Sequence, residues 1–210
     1  MKAILVKIRK PNYSGPASIQ IIYSILALCS GLILGAISKH LDYIPSNELP
    51  YLLEVLDLRN FFSRLAIWIL LAVIISVYSK NPVRAGLNTF MFFVGMLVSY
   101  YAYTIFIAGF FPKQYFFIWL VLTLLSPFLA YICWYAKGNG IISLLISAII
   151  IGVLFKQAFA FGLLYFDVRS YLEVAVWLIG VVVLYKTPKQ LVGLLALSLV
   201  LAITLTAVLP

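Results

Sequence analysis

The sequence is poor in charge. Only 10% of its 210 residues are Asp, Glu, Lys or Arg, and six acids stand against 15 Lys and Arg. Such a chain has too little polar surface to cover a globule in water, and with 65% hydrophobic residues and a mean hydropathy of +1.12 it belongs in lipid. Histidine is nearly absent, His40 being the one example, and Cys29 and Cys133 are the only cysteines. The two thiols fall at different depths of their apolar runs, so neither a disulfide nor a metal site is expected. No carboxylate lies in the middle of an apolar run, and HExxH, GxSxG and GxxxxGKS/T are all missing. Hydrolytic chemistry therefore has no nucleophile and base, and neither enzymatic activity nor a cofactor is expected. The net charge of +9 is scattered over short loops, which excludes the basic face with interleaved aromatics that nucleic acid would require.

What the chain has in abundance is apolar length. A spanning helix needs roughly 20 mostly apolar residues, and seven windows fit or nearly fit: 18–38, 61–79, 87–109, 115–136, 141–165, 170–185 and 190–209. Strand-like alternation is lacking, and open backbone cannot face hydrocarbon. The expected fold is all-α: a polytopic transmembrane helical bundle occupying 1–210 as a single domain, with seven spans and six as the alternative. The loop charges orient it. With the N-terminus in the cytoplasm, the inner segments hold Lys2, Lys7, Arg9, Lys10, Lys80, Arg84, Lys137, Lys186 and Lys189 and no acid. All the acids, Asp42, Glu48, Glu54, Asp57, Asp167 and Glu173, then fall outside, with Lys39, Arg59, Arg64, Lys113, Lys156 and Arg169. The positive-inside rule thus predicts a multi-pass topology with the N-terminus inside and the C-terminus outside.

The inner connections are short and carry helix-start chemistry: Pro16 at a first helical position, Asn81 before Pro82, and Thr187, Pro188 and Gln190 in capping-box spacing. The one sizeable loop is outside, 39–60. There Asn47 can cap an interfacial amphipathic helix near 47–58, with Leu49, Leu52, Leu53 and Leu56 on one side and Glu48, Glu54 and Asp57 on the other. It is either a connector resting on headgroups or a lid over an outward-facing cavity. In the first span Ala27, Gly31 and Gly35 make a smooth stripe for close helix contact, within the bundle or against another membrane subunit. Pro127 in the fourth span leaves the Thr123 carbonyl without its usual donor, a deficit that Ser126 can partly meet.

The candidate binding residues gather in the outer half. Lys156 stands sixteen residues beyond Gly140, roughly 24 Å up the fifth span, which is near the outer edge of a hydrocarbon layer about 30 Å thick. Glu173 enters the sixth span at a similar height, so a Lys156–Glu173 ion pair is geometrically allowed and would relieve the insertion cost of both. Gln157, Arg64, Tyr100 and Tyr103 lie at comparable heights, as do Tyr101 and Trp119. Together these groups either line a solute site open to the outside or form a set of snorkelling charges within an aromatic belt. Trp68, Trp134 and Trp177 are assigned to packing or the belt.

The runs "SKNPVRAGLNTFMFFVGMLVSYYAYT" and "SPFLAYICWYAKGNG" resemble a group of small polytopic bacterial membrane proteins with no assigned activity. The size, the outer polar cluster and the small-residue first helix are also similar, in architecture, to the substrate-binding components of energy-coupling-factor transporters. That similarity implies an outward-facing site for a small solute and a membrane partner for the first helix. Two functions follow. One is a small-solute-binding membrane component of a transport system. The other is a non-enzymatic structural or regulatory subunit acting through helix contacts in the bilayer.

Overall fold

The computed structural model describes residues 2–13, 16–45, 50–162 and 165–208. Ten helices follow one another along these residues: α1 (Lys2–Ile8), α2 (Ala17–Tyr43), α3 (Tyr51–Val55), α4 (Leu58–Ser63), α5 (Leu65–Tyr78), α6 (Pro82–Phe106), α7 (Lys113–Cys133), α8 (Gly140–Ala158), α9 (Tyr171–Leu184) and α10 (Pro188–Val208). A 3-10 turn, Trp134–Lys137, extends α7, and a hairpin of β1 (Phe159–Phe161) and β2 (Phe166–Val168) joins α8 to α9. Four helices, α2, α6, α7 with its 3-10 turn, and α8, are long and apolar enough to cross a membrane. α5 and α9 are equally apolar but only 14 residues each, about 21 Å of rise against a layer of about 30 Å.

Local chemistry starts the helices much where the sequence suggests. The Asn81 side chain accepts from Arg84 N–H at 2.9 Å with Pro82 in the first turn of α6, and Thr187 Oγ1 accepts from Gln190 N–H at 3.2 Å at the start of α10. Pro16 is the N-cap of α2 and not its first helical residue. At Pro127, inside α7, Ser126 Oγ donates to Thr123 O at 2.8 Å, supplying the hydrogen bond that the proline ring cannot.

Three expected elements differ. The continuous helix over 61–79 is interrupted at Arg64, whose extended backbone (ψ 160°) separates α4 from α5. The turn is held by Trp68 Nε1 donating to Phe62 O at 2.9 Å. The span over 141–165 stops at Ala158, because Phe159 stacks on Phe166 (centroids 5.2 Å) and packs on Phe155 and Trp177, which favours a hairpin over another helical turn. The amphipathic helix near 47–58 is reduced to α3, ended by Asp57 at φ 51°; Asn47, Glu48 and Leu49 lie outside the described residues.

Two packed groups share α5. Val73, Val77, Ile151, Leu154, Leu184 and Leu194 join α5, α8, α9 and α10; Trp68, Phe92, Met96, Tyr101 and Trp119 join α5, α6 and α7 with Ala27 of α2. The closest approach is between α2 and α6. A Cβ on Gly31 would lie 1.9 Å from Phe92 O, one on Gly35 2.4 Å from Met96 O, and one on Gly95 2.3 Å from Leu28 O. The stripe of Ala27, Gly31 and Gly35 is thus used inside the bundle.

The two ends of the bundle differ in charge. At one end Arg9 donates to Trp134 O (2.6 Å) and Val77 O (2.9 Å) and lies 4.1 Å over the Trp134 ring. Lys186 donates to Gly138 O and to Asn139 Oδ1, and Ser143 and Ser147 cap Ala136 O. Burial and the neighbouring Arg9 and Lys137 charges hold the Lys186 ammonium below the usual lysine range. No described acid lies there. Asp42, Asp57, Asp167 and Glu173 sit at the opposite end, on the last turn of α2, before α4, in β2 and at the start of α9.

Candidate functional site: an aromatic cavity at the acidic end

α2 runs on to Tyr43, so residues first read as loop form its last turns. Helical spacing sets Lys39 and Asp42 on one face, with Lys39 Nζ 2.6 Å from Asp42 Oδ2. Lys39 is buried, and its ammonium also lies 5.3 Å from the ring centroids of Tyr100 and Phe110, so a carboxylate and two ring faces replace the water it has lost. Tyr100 donates to the same Asp42 oxygen at 3.3 Å. Arg59, from α4, donates to Asp42 O (2.9 Å) and Ile44 O (3.1 Å), tying α4 to the end of α2.

Below this polar cluster lies a small cavity. Ser38 and Asp42 of α2, Arg59 and Phe62 of α4, and Trp68, Tyr100, Tyr101, Tyr115 and Trp119 of the neighbouring helices line it. Its volume is about 20 Å³, room for about one water. The Tyr101 hydroxyl is buried and makes no hydrogen bond among the described residues. A buried hydroxyl left in that state carries a desolvation cost of roughly 1–3 kcal/mol, so a polar ligand or a water at this point is favoured. Phe116 and Phe111 hold the ring at centroid distances of 4.9 and 5.7 Å.

The cavity is walled by aromatic packing on one side and by α4 on the other. Trp68 and Trp119 pack edge to face at 6.2 Å, with Tyr115 at 6.4 Å from Trp119. α4, by contrast, is six residues long and bounded by two backbone breaks, left-handed Asp57 and extended Arg64.

The residues expected to form one site divide into several places. Arg64 and Glu173 come together, Nη1 to Oε1 at 3.5 Å, and Arg64 Nη2 also lies 3.8 Å from Asp57. Glu173 is 1% exposed, and at the start of α9 its charge faces the positive end of the helix dipole. The Arg64–Glu173 separation exceeds a hydrogen bond, and neither atom has another partner among the described residues. The ion pair that reaches Glu173 thus comes from Arg64, because the break before α5 aims that guanidinium at α9. Lys156 and Gln157 occupy the last turn of α8. Tyr103 bonds His40 Nδ1 at 2.9 Å on an exposed edge. Of the six candidates only Tyr100 lines the cavity; Lys156, Gln157, Glu173, Arg64 and Tyr103 do not. Asp42, Arg59 and Tyr115 were not singled out by the sequence. For Asp42 the signal is its i, i+3 spacing from Lys39, which reads as helix once α2 continues past Ser38; for Arg59 and Tyr115, on other helices, the sequence carries none.

No protein-family model, no curated protein and no solved structure matches this chain.

Proposed function

We propose that this protein is a seven-span, N-inside component of a bacterial cytoplasmic membrane that captures a small solute from the outside at the aromatic cavity, as the binding element of a transport system. The observation that carries the reading is a cavity lined by Asp42, Arg59 and Tyr101, the last with a buried hydroxyl that has no hydrogen-bond partner among the described residues. Aromatic walls with a few convergent polar groups are what small-molecule sites use to bury a ligand and fix its orientation. With room for about one water, the cavity represents a closed state, and α4, which lines it through Arg59, Phe62 and Ser63, is the lid, latched by the Arg59 bonds to the end of α2. The analogy to energy-coupling-factor substrate-binding components extends to the outward-facing site. It does not extend to α2, whose small-residue face is turned onto α6. With the stripe engaged by α6, the polar and aromatic cavity is the feature that favours solute capture over a scaffolding subunit.

A thermal-shift panel of small metabolites on the detergent-purified protein tests this. A bound compound should raise the midpoint by mass action, and Tyr101→Phe and Asp42→Asn should each weaken that response. If no compound in a broad panel shifts the wild-type midpoint, the proposal loses its basis. Orientation is tested separately by a C-terminal reporter, which should be active only on the outer side.

A further inference from the structure

A second, larger space lies at the opposite, basic end. It is a groove of about 520 Å³ between α2, α5 and α6. Leu26, Leu34, Leu71, Ile75 and Phe92 form its walls, and Lys80 and Arg84 stand at one extremity. Next to these cations come Ser79 and Asn88, which are linked to each other (3.3 Å) and onward to Ser24 (2.7 Å). Passing along the groove from its end, the lining changes in order from cation to neutral polar to hydrocarbon.

The lengths agree with one leaflet. From Arg84 to Phe92 along α6 is about 12 Å, and from Gln20 to Leu34 along α2 about 21 Å, which brackets the roughly 15 Å half-thickness of a bilayer core. Tyr23, Leu26 and Tyr78 are exposed beside the groove, so it opens sideways, where a lipid enters without crossing the bundle. α6 begins at Pro82, so its N-terminal dipole adds to the positive field around Arg84.

We propose that this groove is a binding site for one phospholipid with an anionic headgroup. The phosphate lies between Lys80 and Arg84, the ester region reaches Ser79 and Asn88, and an acyl chain runs along Leu26, Ile75, Leu71 and Leu34. The charge selects the headgroup: a zwitterionic lipid brings an ammonium toward the same two cations, whereas an anionic one does not. The site is independent of the cavity at the other end and of any solute bound there.

The test reconstitutes the full chain in vesicles of three parts phosphatidylcholine to one part phosphatidylglycerol, followed by native mass spectrometry of the lipids that stay bound. Wild type should retain phosphatidylglycerol well above its mole fraction, and Lys80→Gln with Arg84→Gln should lower that preference by up to about thirtyfold. Arg84→Lys should keep most of it. Ser30→Trp, an exposed position on the groove that leaves both cations in place, should reduce retention of either lipid by filling the acyl track, and it serves if the double variant does not fold. Retention of phosphatidylglycerol at its mole fraction by wild type would overturn the proposal. So would unchanged retention in both the Ser30→Trp protein and the charge-neutralised one. Competition by glycerol 3-phosphate alone as strong as by the intact lipid would do so too, since a headgroup site would then suffice.

Discussion

Replacing Gly31 by alanine adds one methyl group at the tightest point of the bundle, 1.9 Å from Phe92 O, 2.9 Å from Phe92 C and 3.0 Å from Met96 N. All three atoms belong to the α6 backbone, so no side chain can rotate away. Ordinary contact requires about 3.4 Å or more, and α2 and α6 must therefore part by about 1.5 Å along a shared face that also includes Gly35 and Gly95. In a bilayer that contact is held by dispersion and close backbone approach, with no hydrophobic drive to restore it. Overpacking of this kind costs about 1–3 kcal/mol, and the backbone target puts Gly31→Ala at the upper end, partly offset by roughly 1 kcal/mol of gained helix propensity. The expected net loss is about 2 kcal/mol, read as a thermal midpoint lower by about 4–8 °C in detergent. Gly193→Ala is the control. Its Cβ would meet only Leu144 Cδ2 at 3.6 Å, so propensity acts alone and the midpoint should hold or rise. If Gly31→Ala and Gly193→Ala behave alike, the helices do not approach as described and the reasoning is wrong.

Three further outcomes follow from buried groups. Arg64→Leu leaves the 1% exposed Glu173 without its counter-charge and should destabilise by about 3 kcal/mol, more than Glu173→Gln, because Arg64 keeps Asp57 and partial solvent contact. The Arg64→Leu/Glu173→Gln double variant should recover part of that loss in a thermal double-mutant cycle. Ser126→Ala removes the donor to Thr123 O, the carbonyl that Pro127 leaves without its helical partner, and should cost about 1 kcal/mol by thermal unfolding. Arg9→Ala removes two bonds to carbonyls and the stack on Trp134, for an expected loss of about 2 kcal/mol, and Arg9→Lys should restore less than half because an ammonium has no planar fork.

Some of this molecule is written locally. The shortage of charge places it in lipid, and the partition of acids from bases marks its two ends, because each of these depends only on transfer free energies summed along the chain. The caps at Asn81 and Thr187 and the Ser126 bond to the carbonyl that Pro127 leaves open are legible because their hydrogen bonds span three residues. Tertiary contacts decided the rest. Phe159 prefers a hairpin to another helical turn because Phe166 and Trp177 are there to receive its ring. Glu173 meets Arg64 because a backbone break redirects a chain more than one hundred residues earlier. The stripe at Gly31 and Gly35 has the same spacing whether it faces a partner or α6, and only the complementary Gly95 on α6 turns it inward. Asp42, Arg59 and Tyr101 come from three separate segments, and no periodicity links residues that meet only when those helices pack. The sequence by itself settled the solvent this protein lives in and the charge of its two ends; only packing decided which polar groups face one another within it.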